Sequence, residues 1–153
     1  MDAINQKILA ALQQDAAMPV ADIAARAGIS ASPCWRRIQA LTEAGIIRAR
    51  VALLDARKMN VAVSVFVQIR TNQHSMAWAD RLCAVIAAIP EVVEFYRMSG
   101  NVDYLLRVVV PDIAGYDAVY KRIIREIDIY DVSSSFSMET LKYTTALPVS
   151  YAP

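Results

Sequence analysis

The chain has 153 residues, of which 56% are hydrophobic and 20% charged, with a formal net charge of +1. Such a composition supports a substantial core, excludes an intrinsically disordered protein, and allows one or two compact units. No run reaches the ~20 apolar residues of a membrane span and no apolar leader opens the chain, so a cytoplasmic protein without a membrane partner is expected.

Charge is unevenly distributed. Residues 1–58 carry eight basic against five acidic side chains, and six of those cations (Arg36, Arg37, Arg48, Arg50, Arg57, Lys58) fall after residue 35. The remainder is slightly acidic. A basic half joined to a mildly acidic one suggests a polyanion-binding module beside a second module. Cys34 and Cys83 match no metal-ligand spacing and are expected to be buried free thiols, so no metal site is expected.

Asp2 suits the cap of a first helix over 3–14, where Ile4, Ile8, Leu9 and Leu12 recur at helical spacing. Pro19 opens a second helix with Val20, Ile23, Ala24 and Ala27 on one face, and Gly28 ends it. "SASP" starts a third, with Ser30 or Ser32 as cap and Pro33 in its first turn, and Gly45 closes it. "IIRARVALLD" reads as a strand or short hairpin and "ARKMN" as a linker. Next come a strand over 61–70, a helix over 75–90, strands over 91–99 and 103–111, a helix over 112–127 begun by Asp112, and a last strand over 130–143.

The fold class expected is therefore α+β. An N-terminal winged helix-turn-helix (1–54) and a linker (55–60) precede a ferredoxin-like βαββαβ domain (61–153). On the first strand Val61, Val63, Val65, Val67 and Ile69 alternate with Ala62, Ser64, Phe66 and Gln68. One face can meet helices; the other is apolar enough to need a partner, which predicts a homodimer.

In "ASPCWRRIQALTEAG", Cys34, Ile38 and Leu41 share one helical face and should pack inward. Ser32, Arg36 and Gln39 then point outward, with Pro33 and Trp35 on the flanks and Arg37 near the inner edge. Such a helix suits the major groove of double-stranded DNA: Arg bonds guanine edges or phosphates, Gln bonds adenine, and Ser30 or Ser32 meets phosphate near the helix start. Arg48 and Arg50, two residues apart, project together toward phosphates. Charge alone would favour a solvated helical face. Turn glycine, inward stripe and cation placement together favour DNA. Trp35 suits either the core or the sugar-phosphate backbone.

Taken together, "ISASPCWRRIQALTEAGIIRARVALLD", "MSGNVDYLLRVVVPDIAGYDAVYKRI" and the tail "SSFSMETLKYTTALP" resemble the Lrp/AsnC (leucine-responsive/asparagine regulator) family of prokaryotic transcription factors. The likeness covers nearly the whole chain. Within the family, "PCWRR" and "SSF…KYTTALP" look most like a branch that senses cysteine. The resemblance implies a sensing (RAM) domain that pairs through its sheet, dimers that assemble further into rings such as octamers, and a small amino-acid effector held between dimers, with no other cofactor. It places that effector at Met98, Ser99, Gly100, Asn101, Val102, Asp103 and Tyr104.

This loop suits a zwitterion. A glycine turn presents backbone N–H groups to a carboxylate, and Asp103 is the carboxylate available to an ammonium. Ser133, Ser134 and Ser135 would add hydroxyls from a nearby strand. Many relatives carry an acid where this chain has Asn101, which removes one negative charge from the pocket. Read by itself, the loop favours a plain tight hairpin with Gly100 and Asn101 at positive φ and Asp103 bonding its own turn, and the resemblance is what turns it toward a pocket.

Catalysis finds little support. His74 is the sole histidine and falls in a polar loop, and "SGNVDY" lacks the further glycines and the lysine of a phosphate loop. The expectation is thus a sequence-specific, amino-acid-regulated DNA-binding protein. The alternative is an architectural DNA-binding protein without an effector.

Overall fold

The computed structural model describes all residues from Met1 to Pro153, which divide into two compact units. The first comprises Met1–Leu53 together with Lys142–Pro153, and the second Leu54–Leu141.

The first unit contains three helices: α1 (Ala3–Gln14), α2 (Val20–Ala27) and α3 (Ala31–Glu43). Asp2 caps α1, its carboxylate accepting the Asn5 N–H at 2.7 Å. Pro19 precedes α2. Gly28, at φ 77°, ends α2 in the left-handed region that a Cβ would disfavour. The Ile29 N–H reaches back to the Ala24 carbonyl at 3.0 Å, a closure that turns the chain sharply into α3. Ile8, Leu9, Ile23, Cys34, Ile38 and Leu41 form the core, and Ala24 and Ala27 let α2 approach its neighbours closely. Burial pushes the Cys34 thiol above its ordinary pKa, which leaves it protonated and inert.

In the second unit the order is β1 (Val63–Arg70), α4 (Met76–Ala87), β2 (Val92–Arg97), β3 (Tyr104–Val110), α5 (Ile113–Glu126) and β4 (Asp131–Phe136). The strands form one antiparallel sheet in the order β2-β3-β1-β4, the ferredoxin-like topology. Val65, Val67, Ile69, Leu106 and Val108 point from the two central strands toward Leu82 and Ile86 of α4 and Val119 and Ile123 of α5. Each such aliphatic side chain contributes about 1.5–3 kcal/mol by leaving water. On the opposite face, Phe66 and Tyr96 are 40% and 50% exposed. There, Arg107 and Glu94 pair at 2.7 Å and Tyr96 donates to Glu94 at 3.2 Å. The Glu94 charge raises the Tyr96 pKa.

Three sequence expectations are corrected. Residues 46–55 form no paired strand or hairpin: the Ile46 and Ile47 amides both turn back to the Leu41 carbonyl, and the wing has no ladder partner within the chain. Residues 55–60, the expected linker, form a closed turn. Asp55 accepts from the Arg57 and Lys58 amides, the Val61 amide meets the Ala56 carbonyl, and Asn60 takes φ 56°. Cys83 is exposed rather than buried, because α4 turns Leu82 and Ile86 inward and Cys83 away. The last strand stops at Phe136, where its pairing with β1 ends, rather than running on to 143.

Candidate functional site

The α3 surface carries most of the residues expected to meet DNA. Cys34, Ile38 and Leu41 are buried, and Ser30, Ser32, Arg36 and Gln39 are exposed on the remaining faces. Pro33 is half-buried in the first turn. Trp35 is 54% exposed, which decides between its two readings: it lies on the outer surface and not in the core. Ser30 holds the N-cap position in extended conformation, yet its hydroxyl makes no capping bond. Gln39, Thr42, Ile47, Arg48, Ala49 and Arg50 line one open groove. The groove brings Gln39 and Thr42 of α3 beside Arg48 and Arg50, so one surface holds an amide and two cations.

Arg37 behaves differently from its neighbour. Its guanidinium turns back to Asp2 at 2.5 Å and to Asn5 at 2.9 Å, tying α3 to the first turn of α1. The Asp2 carboxyl is held below its usual pKa by the Asn5 N–H first and by Arg37 second. A depressed carboxyl contributes stability that is full above its unfolded value near pH ~3.9 and disappears as pH falls through the folded one. Asp2→Asn keeps a capping oxygen but removes the charge opposite Arg37. The variant is expected to unfold at lower urea than the parent at pH 7, with the difference shrinking as the pH falls below the ordinary carboxylate range. A difference that persists in acid would show that the charge is not the cause.

The second candidate is the β2–β3 loop, residues 98–103. Its ends are closed by the Met98 N–H on the Asp103 carbonyl at 2.8 Å. Gly100 takes φ 104°, whereas Asn101 does not share the positive φ expected of it. The Asp103 carboxylate accepts the Thr71 N–H at 2.8 Å, and the Asp103 N–H reaches the Ile69 carbonyl at 3.0 Å. The Asp103 carboxylate therefore fastens the loop to the end of β1, and only its backbone carbonyl closes the turn. Below it, Tyr104 is buried, stacked on Phe95 with ring centroids 5.6 Å apart and tilted against Trp78 at 6.0 Å. The Trp78 indole donates to the Asp128 carbonyl at 3.0 Å. Met98, Ser99, Gly100 and Asn101 are exposed above this base, with Val102 half-buried.

The three serines do not act together. Strand alternation sends Ser134 to the helix side, where it bonds the Tyr116 hydroxyl, while Ser133 and Ser135 lie on the other face opposite Gln68 and Phe66. Burial raises the Tyr116 pKa, and the Ser134 bond partly offsets it. β1 separates β4 from the loop-bearing β3, so within one chain Ser133 stands about 10 Å from Leu105 across two strand spacings. Thr71, Trp78, Asp2 and Asn5 were not named as functional by the sequence. Only the capping role of Asp2 left a local signal.

Comparison with known proteins agrees with both halves. An AsnC-type helix-turn-helix domain model matches residues 1–42, and an Lrp/AsnC ligand binding domain model matches residues 64–147. The crystal structure of an AsnC family transcriptional regulator from Agrobacterium tumefaciens is 60% identical, covers 100% of both chains and superposes with a TM-score of 0.97. A transcriptional regulator from Neisseria meningitidis, solved as an L-Met complex, is 29% identical over 97% of each chain with a TM-score of 0.92. Among curated relatives, the DNA-binding transcriptional activator DecR of Escherichia coli is 43% identical over 97% of this chain and 99% of its own length. The glutamate uptake regulatory protein of Zymomonas mobilis is 44% identical over 97% of this chain and 91% of its own. The chain belongs to the Lrp/AsnC family: it is a transcriptional regulator with a DNA-binding helix-turn-helix and a ligand-binding domain, and not an enzyme.

Proposed function

We propose that this regulator binds a specific DNA sequence as a homodimer and that a small amino acid, bound at residues 98–104, changes its binding or assembly. The observation that carries the effector reading is the built loop. Gly100 at φ 104° opens backbone N–H groups to an incoming carboxylate, and Asp103 supplies the negative charge for an ammonium. The L-Met complex of the Neisseria relative supports the ligand class. The sequence likeness to the cysteine-sensing branch makes cysteine the first candidate. The exposed sheet face around Phe66 and Tyr96 supports pairing of two copies, which sets two copies of α3 for successive major-groove faces of a pseudo-palindrome. Further assembly into rings such as octamers belongs to the same reading. Cytoplasmic location follows from this role; no helix is long and apolar enough to cross a membrane.

The test is a thermal-shift screen of the twenty amino acids on the purified protein. Cysteine or another small amino acid should raise the melting temperature. Twenty blanks would favour the architectural alternative. Asp103→Asn separates the two uses of Asp103, since it keeps an oxygen for the Thr71 N–H and removes the charge. It should melt like the parent without ligand and bind the effector about tenfold or more weakly, as expected for losing a charge-assisted hydrogen bond. Calorimetry showing parental affinity would remove Asp103 from the pocket.

A further inference from the structure

α3 exposes more than polar groups. Across α1, α2 and α3, Trp35 is the sole large apolar side chain left in the open. Its indole makes no ring contact and no hydrogen bond within the chain. Burying such a ring against the core would release it from water, yet the fold spends Cys34, Ile38 and Leu41 there and leaves Trp35 outside.

Position on the helix says what the ring can meet. Trp35, Gln39 and Thr42 stand at i, i+4 and i+7, so they run along one side of α3. Gln39 and Thr42 line the groove with Arg48 and Arg50, and Trp35 continues that line one turn toward the start of the helix. A long helical side chain leans toward the N-terminus, which carries the ring over Ala31 and Ser32. Both are small and exposed, so nothing there covers it. The N-terminal residues of a recognition helix are those that reach base edges, whereas the cations at the other end suit phosphates. Base edges in the major groove are polar with one exception, the C5 methyl of thymine. We propose that Trp35 is a specificity-determining residue whose ring reads a thymine methyl in the major groove. The proposal rests on the DNA-binding role given to α3 above and adds the base that the ring selects.

The experiment uses the full chain, the variants Trp35→Ala and Trp35→Phe, and a duplex selected from a random pool by the parent protein. Each thymine is replaced in turn by deoxyuridine, which deletes the methyl and keeps every hydrogen-bonding group. The parent should lose about fourfold at one thymine or more, the value of one buried methyl. Trp35→Ala should bind the intact duplex about tenfold more weakly and lose nothing further on that replacement. Trp35→Phe keeps an apolar ring and should keep the methyl effect. Thermal unfolding of both variants should match the parent, because the side chain is exposed. A parent that tolerates every deoxyuridine overturns the proposal, as does a Trp35→Ala variant that still loses on the same replacement. If that variant is weakened by one factor on selected and random DNA alike while still feeling the methyl, the ring lies on the sugar-phosphate backbone and not on a base. A parent with no preferred duplex sinks the sequence-specific reading on which the proposal stands; a preferred duplex without a methyl effect sinks the proposal alone.

Discussion

Ile38→Ala is expected to destabilise the helical unit by about 2–5 kcal/mol, by lost transfer energy plus the cavity left behind. Ile38 is 2% exposed and sits mid-way along α3, with Ile8, Ile23 and Leu41 in the same cluster. No polar group lies buried there to reorganise, so the cavity has little means of collapse. Small domains stand only about 5–15 kcal/mol above unfolding, so this one truncation consumes much of the margin. Urea unfolding resolved by unit through hydrogen exchange is the measurement. The helical unit should open at much lower denaturant while the sheet around Leu106 keeps its protection. A loss under about 1 kcal/mol would mean that α3 is not held through Ile38.

Arg36→Ala, two residues away on the opposite face, should do the reverse. Its side chain is exposed and has no partner in the fold, so stability should change by no more than about 0.5 kcal/mol. Specific DNA binding should weaken by about 1–3 kcal/mol if Arg36 reads a base edge, roughly a five- to 150-fold loss, with relaxed preference at one position. Arg48→Ala offers the contrast expected of a phosphate contact: a loss similar for all sequences and a salt slope lower by about one. Titrations of specific and random DNA at several salt concentrations distinguish the roles. Parental affinity of Arg36→Ala for specific DNA and for random DNA alike would remove it from the interface.

Arg37 shows why adjacent arginines cannot be assigned by charge. Helical geometry puts successive residues about 100° apart, so Arg36 faces solvent while Arg37 reaches the Asp2 carboxylate at the start of α1. That pairing joins residues far apart in sequence, and no local pattern announces it. The hairpin loop teaches a similar lesson. Its existence and its glycine were legible, because a polar stretch with Gly between two apolar runs must turn. The attachment of Asp103 to Thr71 depends on β3 lying beside β1, which is a non-local choice.

Local physics determined most of this protein. The α1 cap, the left-handed stop at Gly28, the inward stripe Cys34-Ile38-Leu41 and the βαββαβ order all follow from backbone sterics and from the 3.6- and 2-residue periods of burial. The motifs also carried the family. What only tertiary structure decided were features that need a distant partner. The wing segment stays unpaired because a strand exists only with a neighbour to bond. Ser134 leaves Ser133 and Ser135 because register, not composition, fixes the face. The tail joins the helical unit because the Gln13 amide and the core beneath Val149 are there to receive it, and nothing within residues 142–153 says so.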